Sequence, residues 1–504
     1  MKRTLFYLLL FATTTAQAQL PALVRDSRPG TGGISPFRLI TFGESLYFYA
    51  SDQPHGLELW VYNDQDTPKM VYDIYPGTTG SGALTDLDRM AVMGNKLYFQ
   101  AGTIYPGQPK PTGDVMFVYD GVVPPQQAFT LGSNPVGCEP NALITVGNKL
   151  FFTADSGGTG STLYSYDGVN PPHYYPIKPT FNFAPSPKLG AYSGQVYYSI
   201  DSGNGAGDEL YVLNPATDTW KMAADINPGA AGSHPRYWFN TWGKLFFVAT
   251  SAANGRELYS YDGVAVKRLT DLAPGAAHGI TSPTQNTLTA FKGAIYFCGS
   301  STGSSTQELY KWDSASGNTS LVSPAGLNPM NGGLKLIEFG NDLYFYGSTA
   351  ANGAELWKYD GISCKIVADL NPGTAAGVMT VECAIYKNRL YFTGNNGSTG
   401  FELYRLNPSA SGIASVKWNG EVVVFPNPAT SSATLRVTLR SAQSLIIELT
   451  DMSGRVVYNS GMNIFPAGKN ESSLPVQSLT PGQYFYHISD GSEVMLASGA
   501  ITKH

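Results

Sequence analysis

Three features of the sequence predict an all-β chain, in which one four-stranded unit is repeated and a smaller β-sandwich follows. Aromatic residues make up 12% of the 504 positions, with 31 Tyr and 24 Phe in short segments punctuated by 56 Gly and 33 Pro. That is the composition of many strands and many turns. A heptapeptide recurs eight times between residues 58 and 408. After Gly420 the chain changes to alternating strands opened by a Pro-rich turn. Charged residues are only 14%, the formal charge is −5, and there are four Cys. These values exclude a disordered chain, a basic nucleic-acid surface and a dense disulfide framework.

The heptapeptide is clearest at Glu257-Leu258-Tyr259-Ser260-Tyr261-Asp262-Gly263 and Glu355-Leu356-Trp357-Lys358-Tyr359-Asp360-Gly361. Its first positions fall at 58, 115, 162, 209, 257, 308, 355 and 402, in steps of 47 to 57 residues. A second motif precedes each copy, as in Leu46-Tyr47-Phe48, Leu245-Phe246-Phe247 and Leu390-Tyr391-Phe392. A third follows several copies, as in Asp73-Ile74-Tyr75-Pro76-Gly77 and Asp369-Leu370-Asn371-Pro372-Gly373. In the fifth copy the unit reads as strand a near 237–241, strand b 244–250, strand c 257–261 and strand d 265–271. Four-stranded units of this length are the blades of a β-propeller. Eight blades over residues 19–408 are expected, with seven as the alternative because the second and third copies are degenerate.

The heptapeptide resembles that of the ELWxxDGT-repeat family of secreted bacterial repeat proteins. Its final Thr is absent: Val169, Val264 and Ile362 stand there. The resemblance implies a propeller in a surface or extracellular setting and transfers no activity.

A ring of blades needs closing, because an open one bares two edges. Leu23-Val24-Arg25-Asp26, before Arg28-Pro29-Gly30, copies the strand d of Ile366-Val367-Ala368-Asp369. The last unit stops after strand c at Asn407. The N-terminal strand is therefore expected to complete the eighth blade. Alternating strand direction puts b–c and d–a connections on one face. The b–c segments 51–56, 102–113, 155–161, 201–208, 251–256, 300–307, 348–354 and 394–401 are expected to be its long loops, where binding usually sits.

Both ends read as addresses. Lys2 and Arg3, the apolar run 5–12 and Ala16-Gln17-Ala18 make a signal peptide over 1–18, with a mature start at Gln19. Gln19 in place of Cys argues against an N-terminal lipid anchor. No other segment approaches the apolar length of a membrane helix. Residues 409–420 read as a polar linker, and 421–504 as a small Ig-like sandwich with strands at 433–439, 444–450 and 455–458 and a last one near 494–497. Its Phe425-Pro426-Asn427-Pro428-Ala429, Asp451-Met452-Ser453-Gly454-Arg455-Val456-Val457, Leu479-Thr480-Pro481-Gly482-Gln483-Tyr484 and terminal Lys503 resemble the type A sorting domain of type IX secretion cargo. That resemblance implies the type IX machinery as partner, passage through the periplasm, and release or fixation to surface lipopolysaccharide.

No catalytic, cofactor-binding or metal-ligating constellation stands out. The recurrent Glu58, Glu209, Glu257, Glu308, Glu355 and Glu402, and Asp26, Asp73, Asp225, Asp271 and Asp369, recur as turn-making residues should. The Asp is expected to accept turn N–H groups and the Glu to bond a neighbouring loop. The same oxygens could hold Ca2+, although no Asp-x-Asp-x-Asp-Gly run supplies consecutive ligands. His55, His173, His234 and His278 read as surface loop residues; His234 and His278 lie in adjacent d–a loops. Trp60 and Trp357 read as core, while Trp238 and Trp242 are better exposed candidates. Cys364 and Cys383 fall on neighbouring strands, where a disulfide is compatible with export but not required. The reading that follows is a secreted or surface propeller that binds an unidentified glycan or protein. The alternative is an extracellular hydrolase or lyase with its site in the propeller funnel.

Overall fold

The computed structural model describes residues 20–78, 80–81, 90–103, 113–131, 138–155, 162–177, 189–280, 288–304, 307–329, 336–408, 421–439, 442–451, 456–461, 463–490 and 495–504. The signal-peptide and linker expectations, and the turn at 452–454, lie outside them. The chain divides into two compact units, Gln17–Ser409 and one containing Ala410–His504.

The larger unit holds eight four-stranded antiparallel sheets among the described residues. Seven are unbroken meanders. The first is Phe37–Phe42, Ser45–Asp52, Gly56–Tyr62 and Lys69–Met70. The fifth is Arg236–Thr241, Lys244–Ser251, Gly255–Tyr261 and Val266–Arg268. Its strand d ends at Arg268 rather than at 271, because Thr270 turns its hydroxyl to Glu257. The eighth sheet joins Val378–Tyr386, Arg389–Gly394 and Glu402–Leu406 to Ala22–Leu23 from the other end of the chain. Ala22 pairs with Arg405 and Leu23 with Tyr404, and Val24 N–H donates to Leu403 O at 2.9 Å.

Strand b lacks polar alternation because both of its faces are covered. Leu46 and Phe48 point into an apolar cluster shared with Tyr391 and Leu403 of the eighth sheet. Tyr47 and Tyr49, one residue out of step, join Leu97 and Phe99 of the second sheet. The same period-two sorting builds Phe152 with Tyr98, Phe151 with Tyr198, Tyr197 with Phe247 and Phe246 with Ile295 and Phe297. One larger cluster runs through sheets six, seven and eight, from Leu309 through Phe345 to Phe392. Each sheet thus packs on the next and the eighth on the first, the layering of a β-propeller.

The smaller unit has a three-stranded sheet of Glu421–Phe425, Ala433–Leu439 and Gly468–Leu474. Its second, five-stranded sheet has Gln443–Asp451 and Gly482–Asp490 at the centre and Met495–Lys503 at one edge. Leu435, Val437, Ile447, Leu449, Ile488 and Ile501 share one core. The strands Asn463–Phe465 and Gly468–Leu474 were not expected from the sequence: Gly468-Lys469-Asn470-Glu471-Ser472-Ser473 carries almost no apolar signal.

Candidate functional site

In every sheet of the larger unit the b–c and d–a connections emerge on one face. The d–a connections are the longer ones, for example 225–235 between the fourth and fifth sheets, while two b–c loops shrink to tight turns. Asp52 pairs with Gly56 and Ser251 with Gly255, leaving three residues in each turn. The expected long b–c loops at 51–56 and 251–256 are therefore half strand, because the ladder continues further than the apolar pattern.

The recurrent glutamates are buried under this face. Glu58 accepts the N–H of Tyr75 at 3.2 Å and of Ser81 at 2.8 Å. Glu209 accepts from Ile226 N–H at 2.7 Å and Ser233 Oγ at 2.6 Å. Glu257 accepts from Leu272 N–H at 3.1 Å, and Glu355 from Leu370 N–H at 3.2 Å. Glu402 accepts from Arg28 N–H at 3.2 Å, so the N-terminal segment occupies the same place in the eighth sheet. Each carboxylate, at the start of strand c, latches the segment after strand d. Burial is the main cause that pushes Glu58, Glu355 and Glu402 up to about 7. Glu308 differs: it is half-buried and takes the Tyr310 hydroxyl at 2.8 Å.

It is the Glu, not the Asp of Asp-x-x-Pro-Gly, that collects these N–H groups; Asp225, Asp271 and Asp369 are exposed. The heptapeptide Asp has the turn role instead. Asp120, Asp167, Asp262 and Asp360 each accept the N–H groups two and three residues ahead, at 2.8–3.0 Å. The following Gly adopts a left-handed φ, +99° at Gly361.

Each histidine has a partner of its own. His55 bonds Asp52 at 2.9 Å, His173 lies 3.1 Å from Asp218, and His234 bonds Asp208 at 2.7 Å. His278 accepts the Arg256 N–H at 3.1 Å. Among the described residues no group of three His, Cys, Asp or Glu could hold a metal ion. No disulfide joins Cys364 to Cys383; the Cys364 thiol donates to Val322 O at 3.7 Å. Trp238 is less available than expected, because a Cβ on Gly190 would stand 2.6 Å from its ring. Trp242 is 40% exposed. On the opposite face Lys149, Asp167, His173 and Tyr174 line a cavity of about 450 Å3.

The fifth sheet holds the feature the sequence reading missed. Arg236 and Arg256 lie half-buried on the loop side, next to His278. Their signal was a departure from the repeat, which a search for recurrence passes over.

In the smaller unit the motif residues fasten the two chain segments that flank the core. Asn427 Oδ1 accepts the Thr502 N–H and its Nδ2 donates to Ala500 O, both at 2.9 Å. Ala429 is fully buried and its N–H donates to Thr502 O at 2.8 Å. The Tyr484 hydroxyl donates to Thr480 O at 2.9 Å, closing the Thr480-Pro481-Gly482-Gln483 turn.

None of the curated proteins compared matches the chain. Among solved structures, the chain is similar to the β-propeller domain of the Trilobed protease from Pyrococcus furiosus, at 12% identity and a TM-score of 0.39, over 67% of this chain and 98% of that one. It is similar to PorZ, a surface component of the type IX secretion system of Porphyromonas gingivalis, at 13% identity and a TM-score of 0.27, over 93% and 75%. It is also similar to the BP39L lectin from Burkholderia pseudomallei, at 12% identity and a TM-score of 0.40, over 66% and 99%. These scores are too low to bear on what this chain does. No helix among the described residues is long and apolar enough to cross a membrane. Residues 423–499 match the secretion system C-terminal sorting domain, so the chain is type IX secretion cargo, exported to the cell surface or secreted.

Proposed function

We propose that the larger unit is an eight-bladed propeller of ELWxxDGT type, closed by its N-terminal strand, and that its loop face binds a glycan or protein without turning it over. The Ig-like tail carries it out of the cell. One observation favours binding over catalysis: the carboxylates that recur under the loop face are engaged as buried acceptors for backbone N–H groups. A general acid–base pair needs carboxyl groups that reach a substrate, whereas these build the platform that carries the loops. The test is to screen the mature full chain on glycan arrays and against surface proteins, alongside a polysaccharide and peptide degradation panel. Saturable capture without turnover is expected. Turnover of any polymer, lost on changing one sheet's carboxylate, would replace this reading with the hydrolase or lyase. Deleting 422–504 should leave the larger unit folded in the periplasm; undiminished surface display would overturn the export assignment.

A further inference from the structure

The fifth sheet carries two arginines where the first carries apolar residues. Arg236 pairs with Val248 on strand b, as Phe37 pairs with Tyr49. Arg256 pairs with Thr250, as Leu57 pairs with Ser51. Val248 and Thr250 are two residues apart, and cross-strand partners share a face, so both arginines stand on one side of the sheet. Val248 belongs to the apolar cluster shared with Ile295 and Phe297, so that side faces the sixth sheet. Strand a is bulged just after Arg236, with Tyr237 at a φ of +60°. The first and third sheets carry the same bulge, with Arg38 at a φ of +57° and Ala142 at +52°, so it belongs to the repeat and the arginines alone set the fifth sheet apart.

A backbone strap fixes a third group beside them. Ile280 N–H donates to Arg256 O at 2.9 Å, Arg256 N–H to His278 Nδ1 at 3.1 Å, and Arg256 Nη1 to Ile280 O at 3.4 Å. A Cβ on Gly255, at a φ of +62°, would stand 1.8 Å from Ala277 O, so the strap lies directly on the turn. With Nδ1 accepting, a neutral His278 carries its proton on Nε2 and presents a donor. Burial and the two guanidiniums hold the imidazole below its ordinary range. Burial, then Arg236, lowers Arg256 to about 10. The carboxylate of Glu257 is engaged by Thr270 and Leu272 instead, and Arg256 Nε is buried with no hydrogen-bond partner.

We propose that Arg236, Arg256 and His278 form an oxyanion subsite on the loop face, which takes a carboxylate, sulfate or phosphate group of the ligand. Two guanidinium forks and one imidazole N–H match the lone pairs of such a group. The inference rests on the binding reading and narrows its ligand to an acidic one.

The experiment uses the mature full chain, titrated with inorganic sulfate, inorganic phosphate and a hexuronate tetramer against chloride at equal ionic strength. Affinity is read by calorimetry and the His278 ring signals by NMR. At least one oxyanion should bind and move those signals, and Arg236→Gln and Arg256→Gln should each weaken it about tenfold, roughly 1.4 kcal/mol. Arg256→Lys should recover part of the loss. Should a Gln variant fail to fold, the His278 signals of the unaltered chain decide. Sulfate and phosphate as the sole binders identify a free ion as the source; preference for the tetramer identifies an acidic saccharide. No movement of the His278 signals with any probe, or affinity unchanged from the unaltered chain in both folded Gln variants, overturns the subsite. A neutral glycan held equally by all variants overturns it while leaving the binding reading intact. Oxyanion binding that needs both arginines, with no glycan or protein captured, supports the subsite and removes the binding reading.

Discussion

The seventh and eighth sheets hold their outermost strands by the same latch and differ in everything else about that edge. Glu355 accepts Leu370 N–H in one and Glu402 accepts Arg28 N–H in the other, both at 3.2 Å. In the seventh, strands c and d form one hairpin, whose turn is set by Asp360 accepting Ile362 and Ser363 N–H at 2.8 Å. In the eighth no turn exists, and strand d shrinks from five residues to two. An ion pair across the seam to the first sheet is found there instead. Arg389 Nη1 reaches both oxygens of Asp64 at 2.7 and 2.6 Å, and Arg405 Nη1 reaches Oδ1 at 3.4 Å. The lesson is that the latch is common to both edges while the covalent turn is dispensable.

The largest test of that comparison is to start the chain at Ser27 rather than at Ala22. The shorter chain loses the ladder to Tyr404 and Arg405, at about 0.5–1.5 kcal/mol per bond. It also loses the packing of Leu23 and Val24 at the two neighbouring seams. A loss on the order of 5 kcal/mol is expected in chemical denaturation. Equal midpoints for the two chains would refute closure by this strand.

Removing the latch should cost less. Glu402→Ala and Glu355→Ala each strand buried N–H groups, for about 1–3 kcal/mol. Glu402→Ala should be the worse of the two, since no hairpin tethers Arg28; equal costs would break the comparison. The same glutamates set a pH dependence. Their folded values lie above the ordinary 4.5, near 7, so the native state holds protons that the unfolded chain releases. Stability is complete below about 4.5 and falls as pH rises through 7. Melting temperatures should therefore be higher at pH 5 than at pH 8, and Glu402→Gln should flatten the slope; a rise toward pH 8 would contradict it.

Smaller still is Asp64→Asn, expected to cost about 1–2 kcal/mol near pH 7. Burial opposes its ionisation, but Arg389 more than compensates and holds the carboxyl below its usual range. Its contribution is present above the ordinary 3.8 and disappears as pH falls through the lower folded value. Variant and unaltered chain should thus converge in acid, and a gap that persists there would show that packing, not charge, is involved. The smallest effect is expected for Asp360→Ala, about 0.5–1 kcal/mol by thermal melting, because the turn is only half-buried and the eighth sheet manages without one. A larger loss than that of Glu355→Ala would invert the ranking.

Recurrence made most of this legible. The Leu-Tyr-Phe and Glu-Leu-Trp segments are buried on both faces, so every sheet imposes the same residues and the period survives in the sequence. Strand d of the eighth sheet was legible because Leu23-Val24-Arg25-Asp26 repeats its counterpart at 366–369. That the Glu bonds a neighbouring loop was legible too; that the Asp of Asp-x-x-Pro-Gly stays exposed at 225, 271 and 369 was not, since either can accept an N–H and only the burial of strand c decides. Nor was the oxyanion subsite: Arg236 and Arg256 are twenty residues apart, and only the pairing of strand b with both neighbours brings them to one side. The Gly468–Leu474 strand stayed hidden because its neighbour Ala433–Leu439 supplies the apolar face.

The shared eighth sheet also imposes an order on how the chain acquires its shape. Arg28 and Glu402 are 374 positions apart, whereas the hairpins of the first seven sheets form between near neighbours. Local hairpins close fast and distant pairs slowly, because a long loop must lose its freedom before any contact compensates it. The strand Ala22–Leu23, made long before its partner, is therefore the last of the larger unit to find its place, and until Leu406 has been made it waits as an open edge. A bulky N-terminal fusion just ahead of Ala22 would hinder that final step, while the same fusion at the other end of the larger unit would leave it free.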